Sequence, residues 1–308
     1  MTGRYPDRVG VPGVIRTHVE NNWGYFRQDA VTLPTMLKRG GYHTALIGKW
    51  HLGLDPENHP CQRGFDHFHG FLGDMMDDYL THRRHDINYM QLAKQEINPE
   101  GHATDLFTDW AVDYIQQRET ESDPFLLYLA YNAPHTPIQP PEEWVDRVRQ
   151  REPEASDERV RYVALVEHLD DGIGRTLQAL EATGQLDNTL VIYTSDNGGQ
   201  MNVGATNGPY RGEKGDMYDG GLRVPTCAMW PGQIPAGLVT DQVGILMDLF
   251  PTACAAANVD VDHDIEARSL LPTLRGGTQD FADRILYWVR REGEAGRVWP
   301  LSLRIPEG

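Results

Sequence analysis

Three times along the chain, a predicted helix is followed by a short apolar segment. Three segments have the length and continuous apolar character of strands buried on both faces. They are Ala45–Ile47, Phe125–Ala130 and Leu190–Thr194. Each follows a predicted helix, and these helices are Thr32–Arg39, Thr104–Arg118 and Ser156–Thr183. Because helical crossovers join parallel strands, this order predicts an α/β fold whose mixed, mostly parallel sheet is flanked by helices.

Each predicted strand is followed at once by side chains that can bind ligands or transfer protons. Lys49 and His51 follow the first strand, His135 follows the second, and Asp196 and Asn197 follow the third. In open α/β sheets, ligands bind in the crevice outside the carboxyl ends of the strands. We therefore expect these five side chains to meet in one crevice and to form an active site.

The cations and histidines in this set suit an oxyanion. Lys49 is one point charge for a tetrahedral sulfate or phosphate, and Lys214, in the Gly-rich segment after the third strand, is a second. His51 and His135 can donate hydrogen bonds to such an anion or protonate a leaving oxygen. Together with a metal ion, these groups predict cleavage of a sulfate or phosphate ester.

The oxygen atoms of Asp196 and Asn197 suit Ca²⁺ or Mg²⁺ and do not suit zinc. Taken alone, the segment Ser195–Gly199 is also typical of an ordinary turn. The paired acids Asp170 and Asp171 lie in the middle of a predicted helix with no other reactive residue type near them. We therefore interpret this pair as structural.

Composition restricts the class of partner. The 308 residues carry 45 Asp and Glu against 28 Lys and Arg, a formal net charge of −17. This balance argues against nucleic acid and anionic membranes as partners. No segment has the apolar length of a membrane span, and the three cysteines form no disulfide framework. Cellular location stays open: periplasmic or secreted if a signal peptide lies upstream of Met1, otherwise cytoplasmic.

The polar stretch 54–100 predicts long surface loops. Its acids and histidines either line a substrate pocket or belong to a solvated loop, and both interpretations stay open for Asp74, Asp77, Asp78, His82 and His85. Beyond the third strand, the pattern predicts a strand over 223–231, a helix over 248–257, a loop over 266–275 and a strand over 284–290.

Four motifs resemble those of the type I sulfatases, in the order found in that family. They occupy residues 41–53, 133–137, 195–199 and 211–225, and read Gly-Tyr-His-Thr-Ala-Leu-Ile-Gly-Lys-Trp-His-Leu-Gly, Ala-Pro-His-Thr-Pro, Ser-Asp-Asn-Gly-Gly and Arg-Gly-Glu-Lys-Gly-Asp-Met-Tyr-Asp-Gly-Gly-Leu-Arg-Val-Pro. Asp170–Gly174 also resembles a helical motif of the family. The resemblance implies an alkaline-phosphatase-like fold and hydrolysis of a small-molecule or carbohydrate sulfate ester.

The resemblance also implies a role for each motif residue. The two lysines would bind sulfate, and His51 would hold the formylglycine nucleophile of the family. His135 would contact sulfate and help protonate the leaving group. Asp196 and Asn197 would ligate Ca²⁺, with Mg²⁺ the lesser choice.

The sequence departs from the family at the nucleophile. Formylglycine is made from Cys or Ser within Cys/Ser-x-Pro-x-Arg, and this pattern occurs nowhere in the 308 residues. The family's Asp-Asp pair on the first strand is missing as well, and residues 1–6 resemble the segment that follows the nucleophile motif. We therefore expect a sulfatase without its first strand, and little or no sulfatase activity from the chain as given.

The same resemblance to the type I sulfatases predicts two domains. Residues 1–280 would be a catalytic domain that is incomplete at its N-terminus, and residues 281–308 would begin a small C-terminal subdomain, most of which is missing. Two alternatives for function stay open. One is a non-catalytic remnant that binds an anion or a partner, and the other is a phosphodiesterase or phosphonate hydrolase of the same superfamily.

Overall fold

The computed structural model describes residues 1–18, 22–289 and, by its backbone, the strand at 301–304. The helices in this part of the chain are α1 (Leu33–Arg39), α2 (Ala103–Arg118), α3 (Glu142–Arg151), α4 (Asp157–Ala182), α5 (Asp219–Leu222), α6 (Leu249–Ala256) and α7 (Leu271–Leu274). The strands are β1 (His43–Lys49), β2 (His67–Phe71), β3 (Arg83–Arg84), β4 (Ile87–Asn88), β5 (Met90–Leu92), β6 (Gln95–Glu96), β7 (Phe125–Ala130), β8 (Val191–Thr194), β9 (Thr226–Met229), β10 (Ile285–Trp288) and β11 (Leu301–Arg304).

The central sheet has the strand order β6-β5-β2-β1-β7. The middle strand β1 pairs in parallel with both β2 and β7, while β5 and β6 extend the sheet in antiparallel pairings. Five consecutive residues of β1 are buried, as expected of a strand covered on both faces. The predicted α/β class and the parallel pairing of the first two apolar segments are confirmed.

Three sequence predictions about the sheet are wrong. Residues 54–100 are not loops throughout, because they supply β2, β5 and β6. The sequence of β2 indicates a strand only weakly, because its histidines are polar residues that favour an exposed position. In the structure these histidines pack on aromatic rings, and the ring centroids of His69 and Trp110 lie 3.4 Å apart.

The segment at β8 is a strand, but it pairs with β9 in an antiparallel, two-stranded sheet. The expected burial on both faces is also wrong for β7 and β8, because neither contains a fully buried residue and β7 is the last strand of its sheet among the described residues. Apolar character therefore indicates an extended segment, and it shows neither how deeply the segment is buried nor which strand is its partner.

The helices largely follow the sequence pattern. Thr32 caps α1 by accepting a hydrogen bond from the amide of Thr35, and α2, α4 and α6 fall within two residues of their expected bounds. The helix α3 is an addition to the expected elements, and α7 adds one turn to a segment expected to be a loop. The predicted strand over 284–290 is β10, and its last residue lies outside the described residues.

The helices α2 and α4 pack on one another beside the sheet. A Cβ at Gly172 of α4 would lie 2.5 Å from the hydroxyl oxygen of Thr108 on α2. The small residue therefore allows a close helix–helix contact. Asp170 and Asp171 face solvent on the outer side of α4. This placement agrees with the structural interpretation of the Asp pair and its flanking glycines.

The segment after residue 280 is joined to the rest of the described chain by a buried ion pair. Arg284 donates to both carboxylate oxygens of Asp248, at 2.7 and 2.5 Å, and both side chains are buried. Asp248 also accepts hydrogen bonds from the backbone amides of Ile245 and Arg268. The division at residue 280 stays a prediction. Among the described helices, each is too short or too polar to cross a membrane.

Candidate active site

All six residues predicted for the site line one cavity. Lys49 and His51 come from the end of β1, His135 from the loop after β7, Asp196 and Asn197 from the loop after β8, and Lys214 from the Gly-rich loop. The six side chains therefore share one large cavity, although β8 belongs to a different sheet from β1 and β7.

The end of β1 is shaped by glycine. Gly48 has a φ of +107°, and a Cβ at this position would lie 2.1 Å from the carbonyl oxygen of Ala130 on β7. A Cβ at Gly70 on β2 would lie 1.9 Å from the carbonyl oxygen of Gly48. The three strands can thus approach closely just before Lys49 only because these positions lack side chains.

His51 is held in an unusual conformation. Its φ is +57°, in the left-handed region that costs a non-glycine residue about 1–3 kcal/mol. Its Nε2–H donates to the carbonyl oxygen of Ile15 at 2.8 Å, which leaves Nδ1 as the acceptor of the neutral ring. Between Lys49 and His51, Trp50 is buried and its Nε1–H donates to the carbonyl oxygen of Asn58. A non-glycine residue in this conformation, fixed by a hydrogen bond, is typical of functional sites.

Burial sets the charge states at the end of β1. Burial lowers the pKa of Lys49 to about 8, and while the charge of Asp196 opposes this change, Lys214 adds to it. Burial also lowers the pKa of His51 to about 3, and the charge of Lys49 acts in the same direction. At neutral pH the site therefore contains a charged Lys49 beside a neutral His51. An anion in the cavity would favour the charged form of Lys49.

His135 lies on a loop that is held from several sides. Its Nδ1–H donates to the carbonyl oxygen of Thr136 at 2.8 Å, and its backbone amide donates to the carbonyl oxygen of Asn132. Its own carbonyl oxygen accepts a 2.8 Å hydrogen bond from the hydroxyl of buried Tyr79. Burial lowers the pKa of His135, and Lys49 also lowers it. With Nδ1 engaged, Nε2 of the neutral ring is the free acceptor and the atom that can carry a transferable proton.

The loop after β8 presents oxygen atoms of the type that Ca²⁺ prefers. The side-chain amide of Asn197 donates to the carbonyl oxygen of Gly198 at 2.8 Å, which leaves its Oδ1 available as a ligand. The carboxylate of Asp196 is exposed. In the part of the chain that the structure describes, no group of three His, Cys, Asp or Glu side chains surrounds Asp196. The donor types fit Ca²⁺, and these two residues supply a minority of its six to eight ligands.

Lys214 is exposed at the tip of a loop pinned to the loop after β8. Its backbone amide donates to the carbonyl oxygen of Gly199 at 3.1 Å. The side chain of Asn207 bonds both polar backbone groups of Gly199 and the carbonyl oxygen of Gly212. The Gly-rich loop is therefore an ordered structure with a side-chain clamp.

Two interpretations stayed open for the acids and histidines of residues 54–100: that they line a pocket or that they belong to a solvated loop. The structure places them differently. Asp74 is buried and lines the cavity, whereas His82 is buried elsewhere and bonds the carbonyl oxygen of Gly101. Arg16 also lines the cavity, and sequence reasoning missed it. An isolated Arg in a Gly-rich segment carries no motif, and its relation to Asp74 depends on the fold.

His102, Asp105 and His168 form a second cluster, with potential ligand atoms within 4.8 Å of one another. Both ring nitrogens of His102 already serve the protein, because one accepts from the amide of Thr104 and the other donates to the carbonyl oxygen of Gln139. The cluster also lies at the N-terminus of α2, where the helix dipole disfavours a cation. We interpret it as a helix cap.

Comparisons with known proteins agree with the motifs. Residues 1–259 match the sulfatase family. N-acetylgalactosamine-6-sulfatase of Mus musculus is 32% identical over 313 residues, covering 94% of this chain and 58% of that relative. The chain thus spans little more than half the length of this curated relative.

Solved structures show the same fold. Ps i-CgsB in complex with k-i-k-neocarrahexaose superposes with a TM-score of 0.87 at 31% sequence identity, covering 94% of this chain and 67% of that one. BT4656 in complex with its substrate D-glucosamine-2-N,6-O-disulfate has a TM-score of 0.74 at 23% identity, covering 97% of this chain and 74% of that one. The second likeness concerns the fold alone.

Proposed function

The chain belongs to the sulfatase family, and we propose that it forms the sulfate-binding part of a sulfuric ester hydrolase. The observation that carries the proposal is the convergence of two lysines and two histidines, Lys49, Lys214, His51 and His135, on one cavity. The substrate would be a small-molecule or carbohydrate sulfate ester. The names of the similar proteins, an N-acetylgalactosamine-6-sulfatase and a protein in complex with k-i-k-neocarrahexaose, support the second class.

In this proposal Lys49 and Lys214 hold the sulfate group as two point charges. Partly buried Lys49 contributes more, because charges interact more strongly away from water. Nε2 of neutral His135 first takes up a proton from solvent, which the negative charge of bound sulfate favours, and then gives that proton to the ester oxygen as the bond to sulfur breaks. His51, neutral and fixed to the carbonyl oxygen of Ile15, offers Nδ1 to orient a hydroxyl nucleophile.

Two groups implied by the family would complete this chemistry. Asp196 and Asn197 would hold Ca²⁺, with Mg²⁺ the lesser choice, and the ion would supply positive charge next to the sulfate. Formylglycine would supply the nucleophile, but the pattern from which it is made does not occur in the 308 residues. We therefore propose that these residues alone bind sulfate and do not turn over its esters. This proposal is close to one alternative that the sequence leaves open, a non-catalytic remnant that binds an anion.

Titration calorimetry with sodium sulfate and sodium phosphate tests the binding. The wild-type chain should bind sulfate, and Lys49→Ala should weaken that binding about tenfold or more through loss of a charged contact. Lys94→Ala is the matched control, since Lys94 is exposed and lies outside the cavity. No binding of sulfate, or equal binding in the Lys49 variant, would contradict the proposal. Tighter binding of phosphate would favour the phosphodiesterase alternative.

Turnover is a separate measurement. Incubation of the chain with 4-nitrophenyl sulfate and CaCl₂ should release nitrophenol no faster than buffer. Faster release that Lys49→Ala abolishes would show that this chain carries its own nucleophile, and would overturn the proposal of inactivity without touching the proposal of sulfate binding.

A further inference from the structure

Asp74 is a buried carboxylate with one oxygen fixed and the other without a partner. Its Oδ1 accepts hydrogen bonds from the amide of Met75 at 2.8 Å, from Nε of Arg84 at 3.0 Å and from the hydroxyl of Thr17 at 3.4 Å. Its Oδ2 has no hydrogen-bond donor among the described residues, although the side chain is only 2% exposed. A buried charged acceptor without a donor is unfavourable and calls for an explanation.

Arg16, which also lines the cavity, lies near this oxygen. Its Nη1 lies 4.0 Å from Oδ2 of Asp74, beyond hydrogen-bond distance, and its side chain is 37% exposed. Asp74 and Arg16 line the same cavity as Lys49 and His51, and the charges of both act on the pKa of each of these residues. The pair therefore lies at the side of the anion-binding residues, with an acceptor fixed by the protein and a partly exposed donor.

This arrangement suits a hydroxyl group. A carboxylate oxygen accepts the hydrogen of a hydroxyl, and a guanidinium donates to the oxygen of the same group or of its neighbour. Burial raises the pKa of Asp74, but the charge of Arg84 and the hydrogen bonds from Met75 and Arg84 lower it below its ordinary value. The carboxylate thus remains ionised at neutral pH. Because it repels anions, a second sulfate or a carboxylate does not fit beside it.

We propose that Asp74 and Arg16 form a hydroxyl-binding subsite that selects sulfated carbohydrates with a free hydroxyl close to the sulfate ester. The inference rests on the proposed binding of sulfate by Lys49 and Lys214. It adds that recognition of the sugar is carried by a donor–acceptor pair outside the anion pocket. Binding of a sugar hydroxyl moves Arg16 and gives Oδ2 of Asp74 its missing donor.

Four ligands test this subsite on the wild-type chain by calorimetry in the presence of CaCl₂: inorganic sulfate, phenyl sulfate, N-acetylgalactosamine 4-sulfate and N-acetylgalactosamine 6-sulfate. The two sugars carry a free ring hydroxyl one or two carbons from the sulfated carbon, and phenyl sulfate carries none. At least one sugar sulfate should bind about tenfold tighter than phenyl sulfate, as expected for a hydrogen bond to a charged group.

The variant Asp74→Asn should affect the affinities for sugar sulfate and for inorganic sulfate differently. Sugar sulfate should lose its tenfold advantage, while inorganic sulfate should bind as well or better, since a negative charge near Lys49 is lost. Asp77→Asn is the matched control, because Asp77 also bonds Arg84 but is more exposed than Asp74 and lies outside the cavity. It should keep the sugar advantage. If Asp74→Asn fails to fold, Arg16→Gln, at a partly exposed side chain, should lower the ratio of sugar sulfate to phenyl sulfate affinity.

The outcomes separate the inference from the proposed function. A wild-type chain that binds no inorganic sulfate overturns the proposed function. A chain that binds inorganic sulfate but prefers neither sugar to phenyl sulfate overturns the subsite alone. The subsite is also wrong if Asp74→Asn weakens all four ligands equally, which indicates a structural role, or leaves the sugar advantage unchanged, which indicates an oxygen satisfied by water.

Discussion

The side-chain amide of Asn207 is bonded to both polar backbone groups of Gly199. The amide of Gly199 donates to Oδ1 of Asn207 at 2.8 Å, and Nδ2 of Asn207 donates to the carbonyl oxygen of Gly199 at 3.1 Å. The same Nδ2 reaches the carbonyl oxygen of Gly212 at 3.0 Å. One side chain therefore joins the loop that carries Asp196 to the loop that carries Lys214.

The first prediction concerns this clamp. Asn207→Ala removes three hydrogen bonds, each with a net contribution of about 0.5–1.5 kcal/mol, and should free the loop that carries Lys214. We expect sulfate affinity to fall about tenfold and limited proteolysis to cut within residues 200–218 at an increased rate. Asn202→Ala is the control, since Asn202 is exposed in the same loop and its side chain accepts only from Gln200 among the described residues. Equal proteolysis of the two variants would contradict the role of Asn207.

The clamp illustrates what sequence could and could not reveal about the site. Lys49 and His135 were predicted because each follows an apolar strand, and the carboxyl ends of parallel strands meet in space. Asn207 and Arg16 follow no such rule, because Asn207 bonds backbone groups within its own irregular Gly-rich segment and Arg16 lies near Asp74, which is distant in sequence. His51 adds a third case: it reaches the predicted cavity, but in the left-handed conformation and not along extended chain. Periodicity locates elements, and it does not locate side-chain contacts between loops.

The second prediction uses the lowered pKa of Lys49. Sulfate interacts best with the protonated amine of Lys49, whose pKa without ligand is about 8. The affinity for sulfate, measured in the presence of EDTA, should therefore be constant below that pH. Above that pH it should fall, by up to about tenfold per pH unit, since binding must then take up a proton. Lys49→Arg, which stays charged at every pH of the measurement, should remove this decline. Calorimetry between pH 6.5 and 9.5 measures both curves, and the same decline in the Arg variant would assign the titration to another group.

The third prediction concerns the close approach of strands before Lys49. In Gly70→Ala the added Cβ would lie 1.9 Å from the backbone oxygen of Gly48. Because the strands must separate, the free energy of unfolding should fall by about 3 kcal/mol or more. Gly174→Ala is a control with the opposite expected effect, since its added Cβ in α4 would meet no atom within 4 Å beyond its chain neighbours and the nearby backbone of its own helix. It should stabilise by about 0.5–1 kcal/mol. Urea unfolding measures both, and a neutral Gly70→Ala would show that the three strands are not in close contact.

The last prediction separates positioning from stability at Tyr79. Its hydroxyl donates to the carbonyl oxygen of His135 at 2.8 Å, and its ring stacks on His102. Tyr79→Phe keeps the ring and leaves that carbonyl oxygen without this donor, so unfolding should become easier by about 1–3 kcal/mol. The loop should also loosen, and since burial lowers the pKa of His135, greater exposure should raise that pKa towards its ordinary value. NMR titration of the histidine side chains measures this change.

The matched control is Tyr131→Phe, which removes a partly buried hydroxyl bonded to Thr108 at 2.8 Å, away from the cavity. It should lower stability by a similar amount and leave the pKa of His135 unchanged. A pKa of His135 that stays constant in both variants would make Tyr79 a structural residue only. If the pKa rises in Tyr79→Phe alone, the hydroxyl of Tyr79 positions His135 and so sets the protonation of the ring that we propose to protonate the ester oxygen.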